Sequence, residues 1–135
     1  MARPGFQQYK SGHSVELLRS GKQYFSACED AIDNAVSYIH FQTYIIDDDE
    51  TGRNFIAALI RAAGRGVRIY VLLDAYGGRS FPDHMEKAVE DAGIFFRRFS
   101  PRLISGDFQL SLRLHHKVLL VDGQHAIIGG MNVAN

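Results

Sequence analysis

The chain has 135 residues, 46% hydrophobic and 22% charged, enough for one globular domain with a real core. Its 15 basic and 15 acidic residues cancel, so composition gives no support for broad nucleic-acid binding and no nucleic-acid partner is expected. Cys28 is the single cysteine, which excludes an intrachain disulfide, and no apolar run is long enough to span a bilayer.

Residues 15–18 read as a short edge strand or an extended lead-in. Phe25, Cys28, Ile32 and Val36 recur at helical spacing, which predicts an amphipathic helix over 22–35. Residues 38–46 are rich in β-branched and aromatic side chains and predict a strand. Phe55, Ile56, Leu59, Ile60 and Ala63 form one apolar face of a second helix over 51–63, ended by Gly64 and Gly66. The nearly continuous apolar run 67–73 predicts a strand buried on both faces. Pro82 opens a third helix and Gly93 closes it. Residues 94–99 predict a third interior strand, 100–111 a loop, and 114–128 a hairpin turning at Asp122-Gly123. The β-α-β-α-β order predicts the α/β class, with a mixed, partly parallel sheet flanked by helices. Residues 1–13 form a lead-in and 14–135 a single domain.

Chemistry-bearing residues crowd into that last hairpin. Strand alternation projects His115 and Lys117 to one face. With Asp122 and Gly123 as the two central turn residues, Lys117 faces Ile128 and His115 faces Gly130. Asn132, two residues further, then returns to the face of His115 and Lys117. Gly129 and Gly130 leave room for a ligand or a backbone to approach. A neutral imidazole is a nucleophile near neutral pH. An ammonium neutralises non-bridging phosphate oxygens, and a carboxamide donates to them. The trio suits a phosphodiester. Asp122 has two readings: a turn former, or an anchor for neighbouring backbone or side-chain donors.

Other residues carry weaker signals. Asp47, Asp49, Thr51 and Gly52 imitate the opening of a calcium loop. The twelfth position would be Ala58 rather than a glutamate, so the stretch reads as helix capping and no metal is expected. Asp74 ends a buried strand, where α/β ligand sites gather, and also suits the satisfaction of loop amides. His116 alternates to the face opposite His115. His13, His40, His84 and His125 show no tight metal spacing. Arg97, Arg98, Arg102 and Arg113 surround the loop before the hairpin, either to attract anionic headgroups or as a solvated basic face.

The stretch Leu114-His115-His116-Lys117 through Asp122-Gly123 to Gly129-Gly130-Met131-Asn132 resembles the signature of the phospholipase D superfamily. Gly130 stands where many members have serine, and the Gly-Gly form is similar to the bacterial cardiolipin synthase branch. The resemblance extends upstream through Ile39-His40-Phe41-Gln42-Thr43-Tyr44, Asp47-Asp48-Asp49-Glu50-Thr51-Gly52, Gly66-Val67 and Leu73-Asp74. It covers roughly residue 15 to the end.

This resemblance implies phosphodiester transfer through a phosphohistidine, with no cofactor and no metal. A motif histidine attacks phosphorus, a histidine from a second motif protonates the leaving alcohol, and water or another alcohol resolves the intermediate. By position, His115, Lys117 and Asp122 are the catalytic motif, His115 being the nucleophile or its acid/base partner. His115, Lys117, Asn132 and Gly130 hold the substrate phosphate. Gln42 resembles a polar neighbour of the active site, its other reading being a buried amide bonded to backbone. The implied substrate is an anionic, phosphatidylglycerol-like phospholipid, met peripherally at the cytoplasmic face of the membrane. One motif is present where the chemistry needs two. The resemblance therefore implies an N-terminal half-domain cut just after its first motif, completed by a C-terminal half or a homodimer partner. A cut there predicts an unfinished, apolar core edge that favours self-association. Two other classes stay open: a homodimeric nuclease or phosphodiesterase, and a non-catalytic phosphate-binding module.

Overall fold

Eight regular elements and one short turn build the domain, seen in a computed structural model that describes residues 11–100 and 114–134. In chain order they are α1 (Gly21–Asp33), β1 (Tyr38–Thr43), α2 (Glu50–Gly64), β2 (Arg68–Asp74), a 3-10 turn (Gly77–Ser80), α3 (Asp83–Asp91), β3 (Phe95–Phe99), β4 (Lys117–Val121) and β5 (His125–Gly129). The strands form one sheet in the order β3-β2-β1-β4-β5. β1, β2 and β3 run parallel, and β4 and β5 join them antiparallel. This is the mixed, partly parallel sheet flanked by helices that the element order predicts. Residues 15–18 form no strand. The predicted loop lies outside the described residues from 101 on, as do Arg102 and Arg113.

Local chemistry sets the helix ends. The Ser20 hydroxyl accepts from the Gln23 amide at 3.2 Å and caps α1. The Asp49 carboxylate accepts from the Gly52 amide at 2.8 Å and caps α2, as the capping reading of the acidic run expects. α1 buries Tyr24, Cys28 and Ile32. The expected stripe is thus off at both ends. Phe25 is only half-buried, and Val36 is 82% exposed because the helix stops at Asp33 and the chain leaves its face. α2 buries Phe55, Ile56, Ala58, Leu59 and Ala62. Beyond its end, the Arg65 guanidinium donates to the carbonyls of Ile32 (2.9 Å) and Ala35 (3.3 Å), satisfying acceptors freed at the end of α1.

The core lies on one face of the sheet. Ile39, Phe41 and Thr43 of β1, Ile69, Val71 and Leu73 of β2, and Lys117, Leu119 and Val121 of β4 are all buried, at alternating positions. Two expectations need correction here. β2 alternates between buried and partly buried residues after an exposed Arg68 and is not fully buried on both faces. β3 is an edge strand, not an interior one. The first follows because the core lies against one face of the sheet only, and the second because β3 pairs with β2 alone among the described strands. The opposite face carries a row of rings: Tyr38 edge-on to His40 at 5.4 Å, His40 stacked on Tyr70 at 4.8 Å, and Tyr70 stacked on Phe95 at 5.0 Å. His40, Tyr70 and Phe95 are directly registered neighbours across three strands, so their rings meet without adjustment.

The β4–β5 hairpin turns through three residues rather than two. Val121 pairs with His125, and the Gln124 amide donates to the Val121 carbonyl at 3.0 Å. Asp122 (φ 53) and Gly123 (φ 67) both take the left-handed region, which aspartate and glycine tolerate best. The Asp122 carboxylate reaches back across the sheet. It accepts from the amides of Val36 (2.9 Å), Ser37 (2.8 Å) and Tyr38 (2.9 Å), and its own amide donates to the Tyr38 carbonyl at 2.9 Å. Both readings of Asp122 therefore hold at once: it forms the turn, and it anchors the start of β1.

Those amides, that of Val36 foremost, hold the Asp122 carboxyl below its ordinary value of 3.8. A carboxyl lowered by folding stabilises the fold in its ionised form. That contribution is complete above the unfolded value and disappears as pH falls through the lower, folded one. Asp122→Asn keeps the tolerance of positive φ and removes the charge. We expect it to lower stability at neutral pH and to weaken the acid-induced loss of stability below about pH 4, read by denaturant unfolding across pH.

Candidate active site

Lys117 opens β4 on the helix-covered face, and only 8% of it is exposed. Its Nζ donates to the carbonyl of His115 at 2.9 Å. His115 lies just ahead of the strand with its side chain exposed. Its ring rests on Tyr44, with centroids 4.6 Å apart and planes at 51°. The Lys117 ammonium lies 5.6 Å from the centroid of the same ring. Tyr44 follows the last residue of β1, so an aromatic side chain at the end of the central strand touches both groups.

Asp74, buried at the end of β2, holds the approach to His115. One carboxylate oxygen accepts from the amides of Tyr76 (2.8 Å) and Gly77 (2.9 Å), and the other from the Leu114 amide at 2.8 Å. The reading in which Asp74 satisfies loop amides is the one found. Gly77 in turn lies against Tyr44: a Cβ there would fall 2.4 Å from the Tyr44 carbonyl oxygen and 2.7 Å from its ring.

Asn132 arrives by a different route from the one strand alternation predicts. Lys117 pairs with Gly129 rather than Ile128, because the turn holds one more residue, and β5 ends there. What carries the second arm of the motif back is a parallel bridge between Val133 and Ile46. The Val133 amide donates to Ile45 at 3.1 Å, and the Asp47 amide donates to Val133 at 3.0 Å. The two arms thus converge on one strip, residues 44–47. The Asn132 Oδ1 atom is buried without a hydrogen-bond partner. Asn132 also lines an open groove of about 760 Å³ with Lys22, Phe25, Ser26, Thr51 and Met131, whose walls include neither His115 nor Lys117.

The remaining predicted residues separate. Gln42 pairs with Leu72 and Val118 and alternates with buried Phe41 and Thr43, which puts it on the opposite face from Lys117. Asp122 sits at the far end of β4, roughly 17 Å from Lys117 by strand rise. His116 is exposed, and Arg98 is engaged with Glu86 and the Gly78 carbonyl. Burial pushes the Cys28 thiol up to about 12, so it is no nucleophile. Among the described residues, no group of three or more His, Cys, Asp or Glu is placed to hold a metal ion. Sequence reasoning missed Tyr44. Its signals were its place inside the β-branched and aromatic run 38–46 and in the upstream stretch that carries the resemblance, neither of which gave it a role.

Residues 28–135 match the family model described as cardiolipin synthase, PLD-like domain. The chain belongs to this family. It is 36% identical over 126 residues to cardiolipin synthase B of Escherichia coli K12, covering 92% of the chain and 30% of that protein. It is 38% identical over 138 residues to cardiolipin synthase A of Pseudomonas fluorescens SBW25, covering 100% and 28%. The chain thus spans less than a third of the length of these relatives. Among solved structures, the fold matches Nuc of Salmonella typhimurium, a phospholipase D family member, with TM-score 0.62 and 23% identity over 81% of this chain and 64% of that one. It also matches NucT of Helicobacter pylori, with TM-score 0.65 and 12% identity over 84% and 69%.

The two motif glycines of this PLD-like domain differ in purpose. A Cβ on Gly129 would stand 3.0 Å from the buried Tyr24 ring of α1, whereas one on Gly130 meets nothing within 4 Å. Gly130→Ser is expected to leave the melting temperature essentially unchanged. Gly129→Ala is expected to cost about 1–3 kcal/mol by overpacking, measured by denaturant unfolding.

Proposed function

We propose that this domain supplies one half of a phosphatidyl-transfer site, with His115 as the nucleophile or its acid/base partner. The observation that carries the reading is the largely buried Lys117 beside an exposed His115, both against Tyr44. A buried cation is costly without an anion, and a phosphodiester provides one. Family membership supports phospholipid as the class of substrate, and an anionic, phosphatidylglycerol-like lipid as the donor.

In this reading a His115 nitrogen attacks phosphorus and the P–O bond to the leaving alcohol breaks. The alkoxide takes a proton from a second histidine. That histidine then deprotonates an incoming lipid hydroxyl or water, whose oxygen displaces His115. Lys117 neutralises the non-bridging oxygens throughout. The Asn132 amide group donates to phosphate, and the open space at Gly130 admits it. Asp122 acts through the hairpin it holds, not on the phosphate. The second histidine comes from a second motif, either in a longer chain, as the greater length of the relatives suggests, or in a second copy. A substrate embedded in a bilayer places the work at a membrane surface, which we assign to the cytoplasmic face.

The test uses a protein that carries both motifs, assayed on phosphatidylglycerol vesicles with a chelator present. His115→Asn is expected to reduce turnover by about a thousandfold or more while leaving phosphate affinity nearly unchanged. Lys117→Ala is expected to lose both. Acid-labile phosphorus on His115, sought by mass spectrometry, reports the intermediate. Undiminished turnover in His115→Asn would exclude the mechanism.

A further inference from the structure

We infer that Tyr44 is a positioning residue for the His115–Lys117 pair, holding the imidazole in its attacking orientation and the ammonium in its place through contact of both with one ring. This rests on the reading of His115 and Lys117 as the phosphate-reacting pair. Two observations and one physical principle support it. The Tyr44 ring is the common neighbour of both groups, at 4.6 Å from the His115 ring and 5.6 Å from Lys117 Nζ. His115 stands at an exposed position ahead of β4, and the Tyr44 ring is the aromatic partner against its imidazole. Rotamer freedom at a nucleophile costs rate directly, because attack needs a near-aligned geometry.

The ring itself is held from behind. The Gly77 backbone lies so close that no side chain fits between it and Tyr44. Gly77 is fixed by Asp74, whose other oxygen fixes Leu114, the residue before His115. One buried carboxylate therefore sets both the ring and the segment that carries the imidazole. On the chain side, Ile45 and Asp47 bond to Val133, so the strip that holds Tyr44 is also the strip that receives the Asn132 arm. A quadrupolar ring face attracts an ammonium, and phenylalanine shares that face while leucine does not.

The experiment follows the His115 ring by NMR in this chain and titrates inorganic phosphate. Wild type and Tyr44→Phe should show an ordered His115 ring with cross-peaks to residue 44 and equal phosphate affinity. Tyr44→Leu should show a mobile His115 ring and an affinity weaker by roughly three- to tenfold. Gly77→Ala, which displaces the ring without changing it, should fall on the side of Tyr44→Leu. Phe55→Leu, a core change against Phe41, controls for general loss of stability and should leave both readouts intact. An ordered His115 ring in Tyr44→Leu overturns the proposal, and so does equal damage from Phe55→Leu. If wild type binds no phosphate, the phosphate-site reading fails. The ordering of His115 by Tyr44 is then still decided by the ring mobility of the same variants.

Discussion

Everything at the site depends on the register between β1 and β4. Ile39 stands opposite Val121 and Phe41 opposite Leu119, so the buried side chains of both strands enter the same core. Side chains alternate with a period of two, so a slip of one residue would turn Leu119 and Val121 out of that core and carry Lys117 to the other face. Asp122 fixes the register at one end by holding three successive amides at the start of β1. Tyr44, just past the other end of β1, meets the residues that enter β4. The motif aspartate and the motif histidine thus belong to one device although they are a strand's length apart: the first sets where the second lands.

The second constraint is closure of the strip at 44–47. Lys117 and Asn132 are separated by a full hairpin, and β5 leads away from β1 by way of β4. The bridge from Val133 to Ile46 returns the chain. The strip accepts these neighbours because glycines crowd it elsewhere. A Cβ on Gly52 would sit 1.8 Å from the Asp47 carbonyl oxygen, and one on Gly77 would strike Tyr44. Two glycines outside the motif therefore shape the ground on which the motif's two arms meet.

How much of this was legible in the sequence differs by level. Element order was legible because helical and strand periodicities are local, and some helix ends carried their own signals, as in Asp49 and Gly93. The hairpin register was not. Asp-Gly favours a two-residue turn, but here both residues take positive φ within a three-residue loop, and Asp122 gains three long-range bonds that no local rule contains. The apolar run of β2 suggested burial on both faces, whereas its residue Tyr70 stacks in the ring row of the other face. In the candidate site, His115 and Lys117 were legible as a spaced pair. Tyr44 was not, because its role comes from a contact across more than seventy residues of chain.

Lys117 makes the strongest physical case that this end of the sheet serves a ligand. Lys117 as a whole residue is only 8% exposed, and whatever hydration its ammonium gives up is a cost unless partners offset it. Its contacts are a carbonyl and a ring face, both neutral, and none of the ion pairs among the described residues includes it. An aliphatic residue would serve the core better at that position. Nearby, on the other motif arm, Asn132 buries an amide oxygen with no donor, a further cost of about 1–3 kcal/mol. Two incompletely satisfied polar groups delivered to one strip by separate backbone devices are poor packing and good preorganisation. Each lacks what a phosphodiester with a hydroxyl beside it would supply: a negative charge for one and a hydrogen-bond donor for the other.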